Sequence, residues 1–140
     1  MAFSSAETVR RPRAQVWAAA TNWSRASQWM KGVDELRVVQ QGPVGEGSKL
    51  AFRSRGSERE TIFVTWLPDE KLALRSRQGG ISAEYVYGFA DCPEGTRVTL
   101  EASCHGEGLG WRLAAPLIGF LTASADGSQL RALKTMIEDT

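Results

Sequence analysis

Residues 109–125 read LGWRLAAPLIGFLTASA, with Arg112 as the only charge, and residues 128–140 continue SQLRALKTMIEDT. A surface helix shows one apolar stripe, whereas a helix that is apolar most of the way round has to be enclosed. The first segment is apolar nearly all round and the second is ordinarily amphipathic. Their stripes also differ in phase. Leu113, Leu117, Phe120 and Leu121 share one face, while Leu130, Leu133, Met136 and Ile137 share another. At about 100° per residue the two faces lie roughly half a turn apart on a continuous helix. The pattern predicts one long C-terminal helix, bent or broken near Gly127, whose first half is gripped by the rest of the chain. Pro116 removes a backbone donor and adds a second place to kink.

Working outward, the preceding chain is built to do the gripping. Residues 2–9 are short and extended in character. Pro12 suits the start of a helix over RAQVWAAA, and Asn22 suits the cap of a second short helix over WSRASQWM, which Lys31-Gly32 ends. From there the period falls from about 3.6 to 2. ELRVVQQ, SKLAFRSR, RETIFVTWL, KLALRSR, ISAEYVYGFA and TRVTLEASC read as six strands separated by short turns. Short connections make successive strands antiparallel neighbours. Ile81, Ala83, Tyr85, Tyr87 and Phe89 share one face, as do Val98, Leu100, Ala102 and Cys104, opposite Arg97, Thr99 and Glu101. In RETIFVTWL the inner face stays open, because Ile62, Val64 and Trp66 alternate with Thr61, Phe63 and Thr65. A long twisted meander curls. The expected fold is therefore α+β: a curled antiparallel sheet wrapped around a long C-terminal helix, with two short helices after the first strand.

The totals narrow the function classes. The chain has 140 residues, which fits a single domain over residues 1–140, and a hydrophobic content of 42% supports a core. A net charge of +1 supplies no global attraction for nucleic acid or an anionic membrane surface. Cys92 and Cys104 are too few and too far apart for a four-ligand zinc site, so no metal is expected; no cofactor is expected either. The N-terminus has no apolar run of signal-peptide length. The apolar run at 113–123 is shorter than the ~20 residues of a bilayer span. A cytoplasmic protein without membrane insertion is expected.

The motifs sit at the turns and packing positions of a known family. RPRAQVW at 11–17, Trp29, VGEG at 44–47, WLPDEKL at 66–72, GTRVT at 95–99, and Leu130, Leu133, Lys134 and Glu138 in the last helix resemble the START-like (SRPBCC) superfamily of helix-grip proteins. That superfamily includes polyketide cyclases, aromatase/cyclases and lipid-transfer domains. The resemblance implies a cavity between sheet and C-terminal helix that takes a small hydrophobic or amphipathic molecule, such as a lipid or polyketide. It implies, as an alternative, a cyclase or dehydratase using the same cavity, and, as a third, a module that binds a protein partner as a chaperone cofactor does.

The candidate ligand-binding residues are Trp29, Met30, Phe52, Ile62, Tyr85, Tyr87, Leu100, Trp111, Leu117, Phe120 and Leu121. The aromatic row Tyr85, Tyr87 and Phe89 lines a cavity or packs a core, its hydroxyls needing partners in both cases. Trp29 and Met30 guard the mouth or pack the sheet rim. Arg112 reaches solvent or, turned inward, binds a carboxylate or enolate. His105 is the sole histidine, in CHGEGLG, with no nucleophile motif near it. Catalytic residues are not identified. Arg53, Arg55, Arg75 and Arg77 fall on the outer face, either as a partner patch or as a solvated mixed-charge surface with Glu58, Glu60, Glu84 and Glu101.

Overall fold

A computed structural model describes residues 2–30, 34–39, 43–54, 57–78, 81–106 and 128–139. The elements are β1 (Ala2–Val9), α1 (Arg13–Ala20), a 3-10 helix (Trp23–Gln28), β2 (Asp34–Val38), β3 (Lys49–Ser54), β4 (Ser57–Leu67), β5 (Lys71–Gln78), β6 (Ile81–Cys92), β7 (Gly95–Gly106) and α2 (Ser128–Glu138). The strands form one seven-stranded sheet in the order β1-β7-β6-β5-β4-β3-β2. Every neighbouring pair is antiparallel. The meander is sequential except for β1, which crosses to pair with β7. The expected long helix is described only in its second half, α2; the apolar stretch at 109–125 lies outside the described residues.

Alternation sorts the sheet into two faces. On β6, Ala83, Tyr85, Tyr87 and Phe89 are buried, and on β7, Val98, Leu100, Ala102 and Cys104. Register aligns them into rows: Tyr87 pairs with Leu100, which pairs with Ser5, and Phe89 pairs with Val98. The opposite face carries charge, including the ion pairs Arg75–Glu84 and Arg37–Glu58.

The strand whose inner face the alternation leaves open changes phase. Ile62 pairs with Arg75 and Phe63 with Leu74, but Thr65 pairs with Ala73, so Val64 is an extra residue in a bulge. A bulge shifts the side-chain period by one. Thr61 and Phe63 face inward before it. Trp66 turns inward after it, its ring 4.9 Å from Phe63 and 5.0 Å from Trp17. Ile62 consequently lies on the outer face, 37% exposed. Its expected place among the ligand-lining residues is corrected accordingly.

Two helical layers cover the concave face. In α1, Val16, Trp17 and Ala20 are buried, and Trp17 meets Phe89 edge-on at 5.3 Å. Pro12 caps this helix from just outside it, and Val16 N–H bonds its carbonyl at 3.0 Å. The second short helix is a 3-10 helix that stops at Gln28, two residues short of the expected end, with Trp29 as its cap. In α2, Leu130, Leu133, Met136 and Ile137 are buried, together with one polar residue, Gln129. At about 1.5–3 kcal/mol per buried side chain, the four apolar residues contribute on the order of 6–12 kcal/mol before the entropy of ordering them.

The far end of α2 is tied to one corner. Lys134 Nζ donates to the Thr8 carbonyl at 2.8 Å and pairs with Glu138 four residues on. The Glu138 carboxylate accepts from Arg10 N–H at 3.2 Å, and its carbonyl accepts from the Arg11 guanidinium at 2.9 Å. The β6–β7 hairpin closes on the same corner, where Thr96 Oγ1 donates to the Arg11 carbonyl at 2.8 Å. Gly95, at φ +145°, lets that hairpin approach: a Cβ there would lie 2.5 Å from the Val9 carbonyl oxygen.

Candidate functional site

The concave face is mostly apolar, and among the described residues one buried hydrogen bond between side chains crosses it. Tyr87 Oη donates to Gln129 Oε1 at 2.6 Å, both side chains being buried. The bond joins the middle of β6 to the first turn of α2. Trp29 stands edge-on over the Tyr87 ring, centroids 5.7 Å apart at 86°, and is 2% exposed. Tyr85, two residues along β6 and therefore on the same face, completes the group.

Burial sets the chemistry of these phenols. Desolvation, with Cys104 as the smaller cause, pushes the Tyr85 hydroxyl well above the ordinary tyrosine range. Desolvation, followed by the adjacent Tyr85, does the same to Tyr87. Burial also raises the Cys104 thiol. All three are neutral at physiological pH, so the concave face offers hydrogen-bonding dipoles rather than charge.

The sequence-derived candidates divide as follows. Trp29, Met30, Phe52, Tyr85, Tyr87 and Leu100 are all buried within one core cluster. Ile62 is on the other face. Trp111, Leu117, Phe120 and Leu121, together with Arg112, lie outside the described residues. The backbone of His105 pairs with Ser82 at the end of β7. Trp23 packs on Phe63 at 5.5 Å.

Sequence reading missed Gln129. Its signal is a polar residue in line with Leu133 and Met136 at the spacing i, i+4, i+7, on the buried stripe of α2. Ser5 was missed as well, because a serine in AFSSAETV does not announce which face it takes.

An external groove of about 470 Å³ opens between the 3-10 helix and α2, lined by Gln28, Ser128, Arg131, Ala132, Thr135 and Met136. Gln28 and Ser128 each precede a member of the buried group, Trp29 and Gln129. The groove is thus next in the chain to the polar part of the concave face on both sides. Among the described residues, no helix is long and apolar enough to cross a membrane.

A curled seven-stranded sheet closed by two short helices and a C-terminal helix defines a helix-grip protein. The chain belongs to the polyketide cyclase/dehydrase and lipid transport family, whose sequence profile matches residues 1–138. No curated protein matches it in sequence. Solved structures share the fold at low identity. A protein from Thermus thermophilus is 19% identical with a TM-score of 0.71, the alignment covering 99% of this chain and 98% of that one. The di-domain aromatase/cyclase StfQ of the steffimycin biosynthetic pathway is 14% identical with a TM-score of 0.73, over 99% of this chain and 50% of that one. Norcoclaurine synthase of Thalictrum flavum is 13% identical with a TM-score of 0.72, over 99% and 94% of the two chains.

Proposed function

We propose that this protein binds a small hydrophobic or amphipathic molecule, of the lipid or polyketide kind, between the concave sheet and the C-terminal helix, and does so in the cytoplasm. One observation carries the reading. An otherwise apolar face holds a compact set of buried neutral polar groups, with Tyr87 and Gln129 spanning sheet and helix and Trp29 beside them. Ligand sites are mostly apolar with a few polar groups that fix orientation, and this face has that composition. Family membership supports the same class of ligand.

Native mass spectrometry of protein purified under mild conditions tests it. A bound mass that leaves on denaturation is the expected result. Protein that carries no such mass, and shows no thermal shift with any of a panel of fatty acids, sterols and aromatic polyketides, would overturn the proposal.

Catalysis of a cyclase or dehydratase type is the second reading, favoured by the Tyr85 phenol, which burial keeps protonated, beside Tyr87, whose own proton is donated to Gln129. A neutral phenol donates a hydrogen bond to a carbonyl as negative charge develops on its oxygen. Turnover of a poly-carbonyl substrate that survives replacement of both Tyr85 and Tyr87 by Phe would remove this reading.

A further inference from the structure

The indole nitrogen of Trp29 and the hydroxyl of Ser5 are buried and have no hydrogen-bond partner among the described residues. Ser5 shares the cross-strand row of Leu100 and Tyr87, so both atoms belong to the concave side around Tyr87. The two atoms differ in what they accept. A hydroxyl can donate or accept, but an indole N–H only donates. Trp29 is 2% exposed and held edge-on against Tyr87, which in turn is anchored on Gln129. Buried donors in folded proteins are nearly always satisfied. What satisfies this one has to be an acceptor delivered from outside the described protein.

We infer that the molecule bound on this face carries a hydrogen-bond-accepting oxygen that receives the Trp29 indole N–H, making Trp29 the residue that selects oxygenated ligands over plain hydrocarbons. This inference rests on the reading of the concave face as a binding site. Gln28 and Ser128, which line the external groove, immediately precede Trp29 and Gln129 in the chain. A ligand whose oxygen accepts from the indole lays its apolar part against the aromatic row of β6. A hydrocarbon of the same shape displaces any water from the indole without replacing its hydrogen bond, and is disfavoured for that reason.

The test uses two compounds of matched shape, 2-acetylnaphthalene and 2-isopropenylnaphthalene, which differ in a carbonyl oxygen against a methylene. Binding to wild type and Trp29→Phe is followed through the indole N–H resonances. The chain has five tryptophans, and the resonance absent from the variant belongs to Trp29. The expected result is a preference of wild type for the ketone of roughly tenfold or more, reduced to within about twofold in Trp29→Phe. The Trp29 resonance, also assignable in the wild type itself through its contact with the Tyr87 ring, should move downfield with the ketone and not with the hydrocarbon, a readout that does not depend on the variant folding. Equal affinity of wild type for the two compounds, or a ketone preference kept by Trp29→Phe, overturns the role of Trp29 and leaves the binding site standing. Failure of both compounds to bind wild type at millimolar concentration overturns this inference, and the panel of fatty acids, sterols and aromatic polyketides decides separately whether the binding-site reading falls with it.

Discussion

Among the described residues, the Tyr87–Gln129 hydrogen bond is the buried polar link between the sheet and the C-terminal helix, and its strength can be measured. In Tyr87→Phe the Gln129 amide loses its partner while still buried. In Gln129→Met the Tyr87 hydroxyl loses its own. Leaving a buried polar group unsatisfied costs about 1–3 kcal/mol, whereas removing both partners is much cheaper. Each single variant should therefore lose about 2 kcal/mol, and the double variant should lose at least about 1 kcal/mol less than the sum. The 140 residues imply an unfolding entropy near 0.3 kcal/mol/K, at about 2.1 cal/mol/K per residue. A loss of about 2 kcal/mol then lowers Tm by about 7 °C. Urea and thermal unfolding of the four proteins completes the cycle. Additivity within about 0.5 kcal/mol would overturn this account, because it would mean the two groups do not depend on each other.

Gly95→Ala should destabilise by about 3 kcal/mol or more, since its Cβ would meet the backbone of Val9 and Arg11 at 2.5 and 2.8 Å in addition to the positive φ. Gly47→Ala has a positive φ but open space around it, so about 1 kcal/mol is expected; equal losses in chemical denaturation would show that the hairpin does not press on that corner. Both tyrosines have raised pKa values, so the stability they lend is fully present below the ordinary tyrosine pKa near 10 and is lost as pH climbs above it. Phenolate absorbance should therefore appear only together with unfolding; ionisation of either tyrosine in the folded protein near pH 10 would contradict the burial. Glu138 behaves oppositely. Lys134, and next Arg10 N–H, hold its pKa below the ordinary carboxylate value, so its contribution is present above about pH 4.3 and fades as pH falls through the lowered value. Wild type should be more stable than Glu138→Gln near neutrality and converge with it in acid; a constant difference across that range would argue against the ion pair.

Much of the architecture was legible in the chain because it rests on local periodicity. The switch from a period near 3.6 to one of 2 after residue 32, the short turns, and the clean alternation of β6 and β7 are properties of neighbouring residues. They specify an antiparallel meander with one apolar face, and the aromatic row at Tyr85, Tyr87 and Phe89 could be placed on that face directly. The amphipathic stripe of α2 was equally plain, and its four apolar residues are buried as their spacing requires.

Other features depend on contacts between distant segments. Alternation alone could not choose an inner face for β4, since a bulge at Val64 makes both halves of the pattern correct over part of the strand and sends Ile62 outward. Ser5 acquires its face only when β1 crosses to β7. Gln129 is a lone polar residue on the apolar stripe of an amphipathic helix, and what it bonds is settled only when Tyr87, 42 positions earlier, supplies its partner. Hydrophobic patterning is written into each segment, so the elements, the apolar face and the family follow from the order of residues along the chain. Interior hydrogen bonds are made between segments. Which polar groups meet, and which donor (Trp29 Nε1) is left for something else to satisfy, therefore emerges only when the segments pack together.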